Sequence, residues 1–262
     1  MDSSLVLPVL AGLVSAVLVN YLADELPRTR ALTHPACRNC GASYGWTRYL
    51  GMQACEKCGF SRGFRPWVVV AGMLTLSLFA WLVPHRLGFA VGMVLLIYFA
   101  VVIVIDVEHR LILQPTSVFG ALLALGIGWW LHGILPTLLG GAAGFAIMSG
   151  FYYLGVLFTR LRERRLVTAG RSADGEEALG GGDVTLAAIL GLLLGWPLIW
   201  FGLLMGVLFG GLLGLLIVLV ALVRRQYGSR ALSLFMPYAP SFVLSAFLTM
   251  FVPTLVGGLL PK

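Results

Sequence analysis

Charged residues are scarce in this sequence: only 11% of its 262 residues are Asp, Glu, Lys or Arg. Soluble globular proteins carry about 25%, so the composition excludes an ordinary soluble enzyme. Hydrophobic residues make up 59% of the chain, and apolar runs long enough to cross a bilayer recur along its length. The sequence therefore predicts an all-α polytopic membrane protein.

Eight apolar segments are candidate transmembrane helices. They lie at residues 4–22, 67–84, 87–107, 114–134, 137–158, 183–194, 198–223 and 240–259. No small-residue cleavage site follows the first segment, so we expect a retained helix rather than a signal peptide. The sixth segment is short, because its twelve residues rise about 18 Å against a hydrocarbon core of about 30 Å. It could be a re-entrant segment rather than a span.

The basic residues decide between these alternatives. If all eight segments cross and Met1 lies outside, every one of the 18 Lys and Arg residues except Arg86 and Lys262 faces the cytoplasm. The positive-inside rule describes this bias. If the sixth segment did not cross, the basic cluster at 224–230 would lie outside. The sequence therefore predicts that both termini lie outside, and the net charge of +7 requires no nucleic-acid partner.

Cysteine is also rare, and all four cysteines lie in the polar segment 23–66, as CRNC and CEKC. Two C-x2-C pairs at this spacing are typical of a tetrahedral Zn²⁺ site, and disulfides rarely persist in the cytoplasm, where the loop is predicted to lie. We predict a structural zinc ion. The alternatives are an iron site with four thiolates, which has the same spacing, and unligated or transiently oxidised cysteines. Four protein thiolates leave no open coordination position, so catalysis must use other residues. The predicted ligands are Cys37, Cys40, Cys55 and Cys58.

Acidic residues number only eleven, and three of them lie at predicted membrane boundaries. Asp106 and Glu108 end the third span, and Asp183 opens the sixth. The predicted topology places both span ends at the cytoplasmic face, where ionisable residues are usually functional because desolvating them is costly. An alternative for Asp183 is that it is a helix N-cap, a position that suits aspartate.

Two carboxylates brought together at that face would form an aspartyl dyad. At about 4 Å and an effective dielectric of about 20 they repel by about 4 kcal/mol, or about three pKa units, so one stays protonated near neutral pH. The ionised member can take a proton from water while the protonated one polarises a peptide carbonyl. Glycines before Asp183 let a substrate backbone approach without a Cβ in the way. The pattern therefore favours peptide-bond hydrolysis at the membrane surface.

The order of these motifs resembles that of the prepilin peptidases of type IV pili and type II secretion, membrane aspartyl proteases with a GxGD motif. The matching segments are SAVLVNYLADELPR, the two CxxC pairs, IDVEHRLIL, GGGDVTLAAILG and MPYAPSFVLSAF. The resemblance implies that Asp106 and Asp183 are the catalytic pair and that Glu108 is a supporting acid that is not essential. It also implies that Gly180 and Gly182 complete the GxGD motif.

The resemblance implies a substrate and a location as well. Family members remove a short basic leader from prepilins or pseudopilins, after a glycine, at the cytoplasmic face of the bacterial inner membrane. Many then N-methylate the new terminus with S-adenosylmethionine. This chain departs from the family pattern at Leu113, Gln114 and Thr185 and in RPWVVV. These departures leave the protease expectation intact and the methyltransferase expectation open.

The expected organisation has three parts: a first transmembrane helix at 1–22, the four-cysteine zinc module at 23–66 and a seven-helix protease domain at 67–262. Glycines at 202, 206, 210 and 214 predict a helix face for close packing, either within the chain or between two copies. We expect a solvated loop at 160–182.

Another class of function stays open at this stage. A transporter or proton-relay protein could use Asp106 and Asp183 to bind a cation. That function predicts acids nearer the membrane midplane and an internal repeat, and the sequence shows neither. An intramembrane protease of the presenilin kind would share the dyad but would give no reason for the cysteine segment.

Overall fold

The computed structural model describes residues 5–83, 86–168, 181–223 and 238–252. Across these ranges the chain forms nine α-helices, with no β-strand beyond one isolated bridge between Ala36 and Ser43. The predicted all-α fold is confirmed. The helices are α1 (Val6–Thr29), α2 (Trp46–Leu50), α3 (Arg65–Leu82), α4 (Phe89–His109), α5 (Gln114–His132), α6 (Ile134–Thr168), α7 (Gly181–Leu194), α8 (Leu198–Val223) and α9 (Ala239–Phe251).

Eight of these helices correspond to the eight predicted spans, and the short α2 lies in the cysteine segment. Five of them are long and apolar enough to cross a membrane: α1, α3, α4, α6 and α8. Two shorter apolar helices, α7 and α9, occupy the positions of the predicted sixth and eighth spans. The protein is therefore embedded in a membrane through a largely helical apolar body.

The first helix is longer than the apolar run that predicts it. α1 continues from the predicted end at residue 22 to Thr29, where Arg30 closes it in the left-handed conformation with φ +54°. Pro27 lies in its last turns and has no N–H to donate to the carbonyl of Ala23. The guanidinium of Arg38 donates to that carbonyl instead, at 3.5 Å. The helix thus extends from the membrane into the cysteine segment.

The prediction of a loop at residues 160–182 is wrong for residues 160–168. α6 extends through residues 160–168, which read RLRERRLVT. Arg, Leu and Glu all have high helix propensity, and this stretch contains neither Gly nor Pro to end the helix. The prediction is also wrong for residues 181 and 182, which begin α7, and residues 169–180 lie outside the described residues.

The chain divides into two compact units, and the first consists of Met1–Pro115 with Met250–Lys262. Here α1 packs along α3 and α4. The approach to α3 is close at Gly12, where an added Cβ would lie 3.1 Å from the Cα of Leu74. The hydroxyl of Ser77 donates to the carbonyl of Pro8 across the same helix pair at 2.7 Å.

The second unit, Thr116–Thr249, is organised around the packing of α7 along α6. The two backbones touch: a Cβ added at Gly140 would lie 2.3 Å from the carbonyl oxygen of Gly191. A Cβ added at Gly144 would lie 2.3 Å from the carbonyl oxygen of Ala187. Glycine and alanine at this crossing let the helices approach more closely than larger residues would permit.

The glycine face of α8 is used within the chain at two of its positions. A Cβ at Gly202 would lie 2.4 Å from Leu194 of α7, and one at Gly206 would lie 2.3 Å from the ring of Phe242 in α9. The intramolecular alternative is therefore confirmed at these two glycines. At Gly210 the nearest atom, in Tyr238, is 3.6 Å away, an ordinary contact distance.

Candidate functional site

The four cysteine sulfurs converge on one point. All four Sγ atoms lie within 4.8 Å of one another. The pairs Cys37–Cys58 and Cys40–Cys55 are each 3.6 Å apart, and all four cysteines are free thiols. Sulfurs about 2.3 Å from a tetrahedral zinc ion lie about 3.8 Å from one another. The cluster therefore has the size and the donor set to hold one metal ion.

Each C-x2-C pair lies on the same kind of turn. In the first, the N–H of Cys37 donates to the carbonyl of Ala42 at 2.8 Å, and Gly41 N–H donates back to Cys37 at 2.9 Å. The second repeats both bonds around Cys55, with Gly59 in the equivalent place. Both glycines have positive φ, +70° and +67°, which glycine adopts at little cost. Two matching turns that face each other are what a four-thiolate metal centre requires.

The charge state of the cluster also suits a cation. Burial raises the pKa of the Cys37 thiol, but the backbone N–H groups of Cys40 and Asn39, together with neighbouring thiols, lower it to about 6. The backbone N–H of Ala42 lowers the pKa of Cys40, whereas burial and the three neighbouring cysteines raise it to about 11. The Cys37 thiol therefore ionises readily, and the neighbouring thiols then oppose ionisation of Cys40. A bound cation would remove that opposition and let all four sulfurs coordinate.

Asp106 lies in the last turn of α4, where the sequence predicts it. It is buried, with 6% of its surface exposed. The helix ends at His109 and is capped by Arg110, whose N–H donates to the backbone carbonyl of Asp106 at 2.8 Å. Arg110 has φ +54°. The helix end is therefore capped by backbone geometry, and the Asp106 side chain is held at a boundary of the apolar helix.

Asp183 lies in the first turn of α7 and is half-buried. The helix already begins at Gly181, so Asp183 is inside the first turn and the N-cap alternative is wrong. Gly182 precedes it within the helix, and Gly180 lies outside the described residues. Asp106 belongs to the first compact unit and Asp183 to the second. Their pairing stays a prediction.

Glu108 lies two residues beyond Asp106 and belongs to an ion network that the sequence does not reveal. It accepts from Arg38 Nη2 at 2.6 Å and from Arg65 Nη1 at 3.1 Å. The same two arginines contact Asp24 of α1, at 3.1 Å from Arg38 Nε and 2.8 Å from Arg65 Nη1. The two carboxylates and the two guanidinium groups thus form a closed ring of alternating charge, which we call the ion ring.

The side of Asp24 that faces away from the ion ring is also occupied. Its Oδ2 accepts from the hydroxyl of Tyr49 at 2.6 Å, and Arg62 lies 3.6 Å away. The Arg62 guanidinium also stacks over the Tyr49 ring, 4.0 Å from its centroid. Burial and the Asp24 carboxylate raise the pKa of Tyr49 well above its ordinary value. Tyr49 therefore stays protonated and serves as a hydrogen-bond donor to the buried acid.

A second buried acid, Glu25, attaches the end of α1 to the first cysteine turn. One of its carboxylate oxygens accepts from the N–H of Ala36 at 2.9 Å, and the other accepts from the hydroxyl of Thr33 at 3.1 Å. The only sign of these networks in the sequence is the pair Asp24–Glu25 directly after an apolar run. Buried carboxylates require partners, but the sequence does not say which.

Comparison with known proteins matches the chain to a family model. The model of the type IV leader peptidase family matches residues 93–219. The matched region contains Asp106, Gly182 and Asp183, and the four cysteines lie before it. No curated protein and no solved structure matches the chain significantly.

Proposed function

We propose that the chain, whose residues 93–219 match the model of the type IV leader peptidase family, is a membrane aspartyl endopeptidase that removes the leader peptide of type IV prepilins or pseudopilins. The observation that carries the proposal is the family match over residues 93–219, because that region includes both candidate catalytic aspartates. The helical membrane body and the placement of Asp106 and Asp183 at helix ends support it.

The proposed chemistry uses Asp106 and Asp183 as a pair with one proton between them. The ionised carboxylate takes a proton from water, and the resulting hydroxide attacks the carbonyl carbon of the scissile peptide. The protonated carboxyl donates to the carbonyl oxygen, which stabilises the tetrahedral intermediate. As the C–N bond breaks, the leaving amine takes a proton and becomes the new N-terminus. The leader departs with a carboxylate terminus.

We propose that the metal held by the four cysteines is Zn²⁺. The separations between the sulfurs, the two matching turns and the all-thiolate donor set fit that ion. When bound, it would contribute folding energy to a segment too short to bury a large core. Cys37, Cys40, Cys55 and Cys58 fill its coordination shell, so hydrolysis falls to the aspartates.

The proposed location is the bacterial inner membrane, with both termini outside and the catalytic pair at the cytoplasmic face. The distribution of Lys and Arg along the sequence supports this orientation. The partners in this proposal are the bilayer and the prepilin or pseudopilin substrate, with no nucleic acid. N-methylation with S-adenosylmethionine stays a prediction from the resemblance, since no contact among the described residues favours it.

Co-expression with a prepilin tests the proposed function. Wild-type protein should yield a pilin shortened after a glycine in its leader, measured by mass spectrometry, and Asp183→Asn should leave the prepilin intact. Glu56→Gln is the matched control, because Glu56 is an exposed acid in the cysteine segment. An intact prepilin beside folded, membrane-inserted wild-type protein would overturn the proposal. Cation flux into vesicles that depends on Asp183 would instead support the transporter alternative.

A further inference from the structure

We propose that Glu108 is a positioning residue that fastens the C-terminal turn of α4, which carries Asp106, to the four-cysteine module of residues 23–66. Metal binding by the module then determines how firmly Asp106 is held. The inference rests on the proposed function for the role of Asp106, and it adds a connection between the metal site and that residue.

The ion ring supplies the physical link. Arg38 lies between Cys37 and Cys40, in the first C-x2-C turn, so its backbone position follows the metal site. Its side chain reaches the last turn of α4 through the 2.6 Å contact with Glu108. Arg65, the first residue of α3, grips the same carboxylate at 3.1 Å and 3.2 Å. The first C-x2-C turn, α3 and α4 therefore meet at the Glu108 side chain.

The ion pairs of Glu108 can hold the last turn of α4 in place. The side chain of Glu108 is 21% exposed and that of Asp24 is 3% exposed, so water screens these pairs less than it would at a free surface. Each arginine contacts both carboxylates, and neutralising Glu108 would break two sides of the ring at once. Arg38 and Arg65 would then have Asp24 as their remaining acidic partner in the ring, and the last turn of α4 would lose its ion pairs with both arginines.

The position of Glu108 along α4 makes this attachment matter for Asp106. The two residues share the last turn, and the helix ends at His109, one residue beyond Glu108. A helix end frays unless something holds it. The Arg110 N–H that caps the turn donates to the backbone carbonyl of Asp106, and Glu108 gives the same turn a side-chain contact with the cysteine module through Arg38. A small displacement of a catalytic group lowers the reaction rate steeply.

The first experiment measures hydrogen exchange at residues 102–112 of the full-length protein in lipid nanodiscs, with Zn²⁺ bound and after its removal by a chelator. Zn²⁺ removal should speed exchange there about tenfold, the change expected when a charge-assisted hydrogen bond is lost. Glu108→Gln should show the fast exchange with Zn²⁺ bound and no further change without it. Glu56→Gln, which removes an exposed ion pair with Arg48 in the same segment, should behave as wild type.

Unchanged exchange at residues 102–112 on Zn²⁺ removal would overturn the inference. So would an equal response to Zn²⁺ removal in wild type and Glu108→Gln, because the coupling would then bypass Glu108. If Glu108→Gln does not fold, Arg38→Lys serves as the second variant: it keeps the charge but loses the two-sided grip, and it should give the same fast exchange.

The second experiment is kinetic and separates positioning from substrate binding. Glu108→Gln should lower kcat for prepilin cleavage about tenfold with KM unchanged, because it displaces Asp106 without touching the substrate. Glu108→Asp, which keeps the charge, should restore most of kcat. A changed KM with unchanged kcat would overturn the positioning role. Metal-dependent exchange in a protein that cuts no prepilin would refute the proposed function alone, and cleavage without that coupling would refute this inference alone.

Discussion

Gly144 of α6 packs against the carbonyl oxygen of Ala187 in α7, one helical turn beyond Asp183. A Cβ at Gly144 would lie 2.3 Å from that oxygen, far inside contact distance. Gly140 and Gly191 make the same kind of backbone contact one turn further along the pair. The helix that carries Asp183 is therefore located by direct contact between two backbones, which leaves little freedom in how it lies on α6.

Gly144→Ala should displace α7 and destabilise the second unit. Because the added methyl group meets backbone rather than a flexible side chain, we expect a loss of about 1–3 kcal/mol in the free energy of unfolding. Prepilin cleavage should fall with it, since Asp183 moves with its helix. Thermal unfolding in detergent and a cleavage assay on the same preparation measure both effects.

Gly150→Ala is the control for that prediction. Gly150 lies in the same helix, it is exposed, and a Cβ there would meet nothing within 4 Å. Replacing an unpacked helical glycine with alanine favours the helix by up to about 1 kcal/mol. Equal losses of stability in the two variants would show that α6 and α7 are not in direct backbone contact at Gly144.

Tyr49→Phe should destabilise the cysteine module. The substitution removes the hydroxyl that donates to Asp24 at 2.6 Å and leaves a buried carboxylate with one partner fewer. The expected cost is about 1–3 kcal/mol in the free energy of unfolding. Tyr44→Phe is the matched control, because the buried Tyr44 hydroxyl has no hydrogen-bond partner among the described residues. It should be close to neutral, and a larger loss at Tyr44 than at Tyr49 would refute the assigned role of the Asp24 contact.

Purified protein should carry about one zinc ion per chain, because four thiolates make one tetrahedral site. Cys58→Ser should lower both the bound zinc and the yield of folded protein, measured by elemental analysis and size-exclusion chromatography. Glu56→Gln, two residues away, should lower neither. Iron in place of zinc would change the metal assignment, and four cysteines open to alkylation in native, metal-free protein would remove it.

The predicted topology is tested with reporter fusions. A reporter placed after Arg230 should read as cytoplasmic and one placed after Lys262 as external, because the distribution of basic residues requires both. Both positions lie outside the described residues. A cytoplasmic reading after Lys262 would mean that one of the eight segments does not cross, and α7, with its fourteen residues, would be the first to re-examine.

Local chemistry explains what the sequence could predict. Long apolar runs have few alternatives to a membrane helix, so all eight predicted spans correspond to helices. Cys37 and Cys40 are three residues apart, so both lie on one turn however the rest of the chain folds. Hydropathy does not predict where a helix ends, because the apolar run ends at the membrane boundary while residues of high helix propensity continue the helix. In α6 the helix continues in this way through Thr168.

The ion ring could not be predicted, because its members are far apart in the chain. Asp24 and Glu108 lie on different helices, Arg38 lies within the first C-x2-C motif, and Arg65 follows the second motif by seven residues. Which arginine meets which acid depends on how α1, α3 and α4 pack, and local sequence does not encode that packing. The Gly144–Ala187 contact is similar: the small residues are visible in the sequence, but their partners are not.

The most direct test of the central claim is the value of kcat/KM for prepilin cleavage by Asp106→Asn, Asp183→Asn and the double variant. Each substitution keeps the size of the side chain and removes its ability to ionise. We predict that each single variant loses about 10⁴-fold and that the double variant is no slower, because two groups that act as one unit are lost together. Near-wild-type cleavage by either single variant, in protein that is folded and inserted, would contradict the assignment of Asp106 and Asp183 as the catalytic pair.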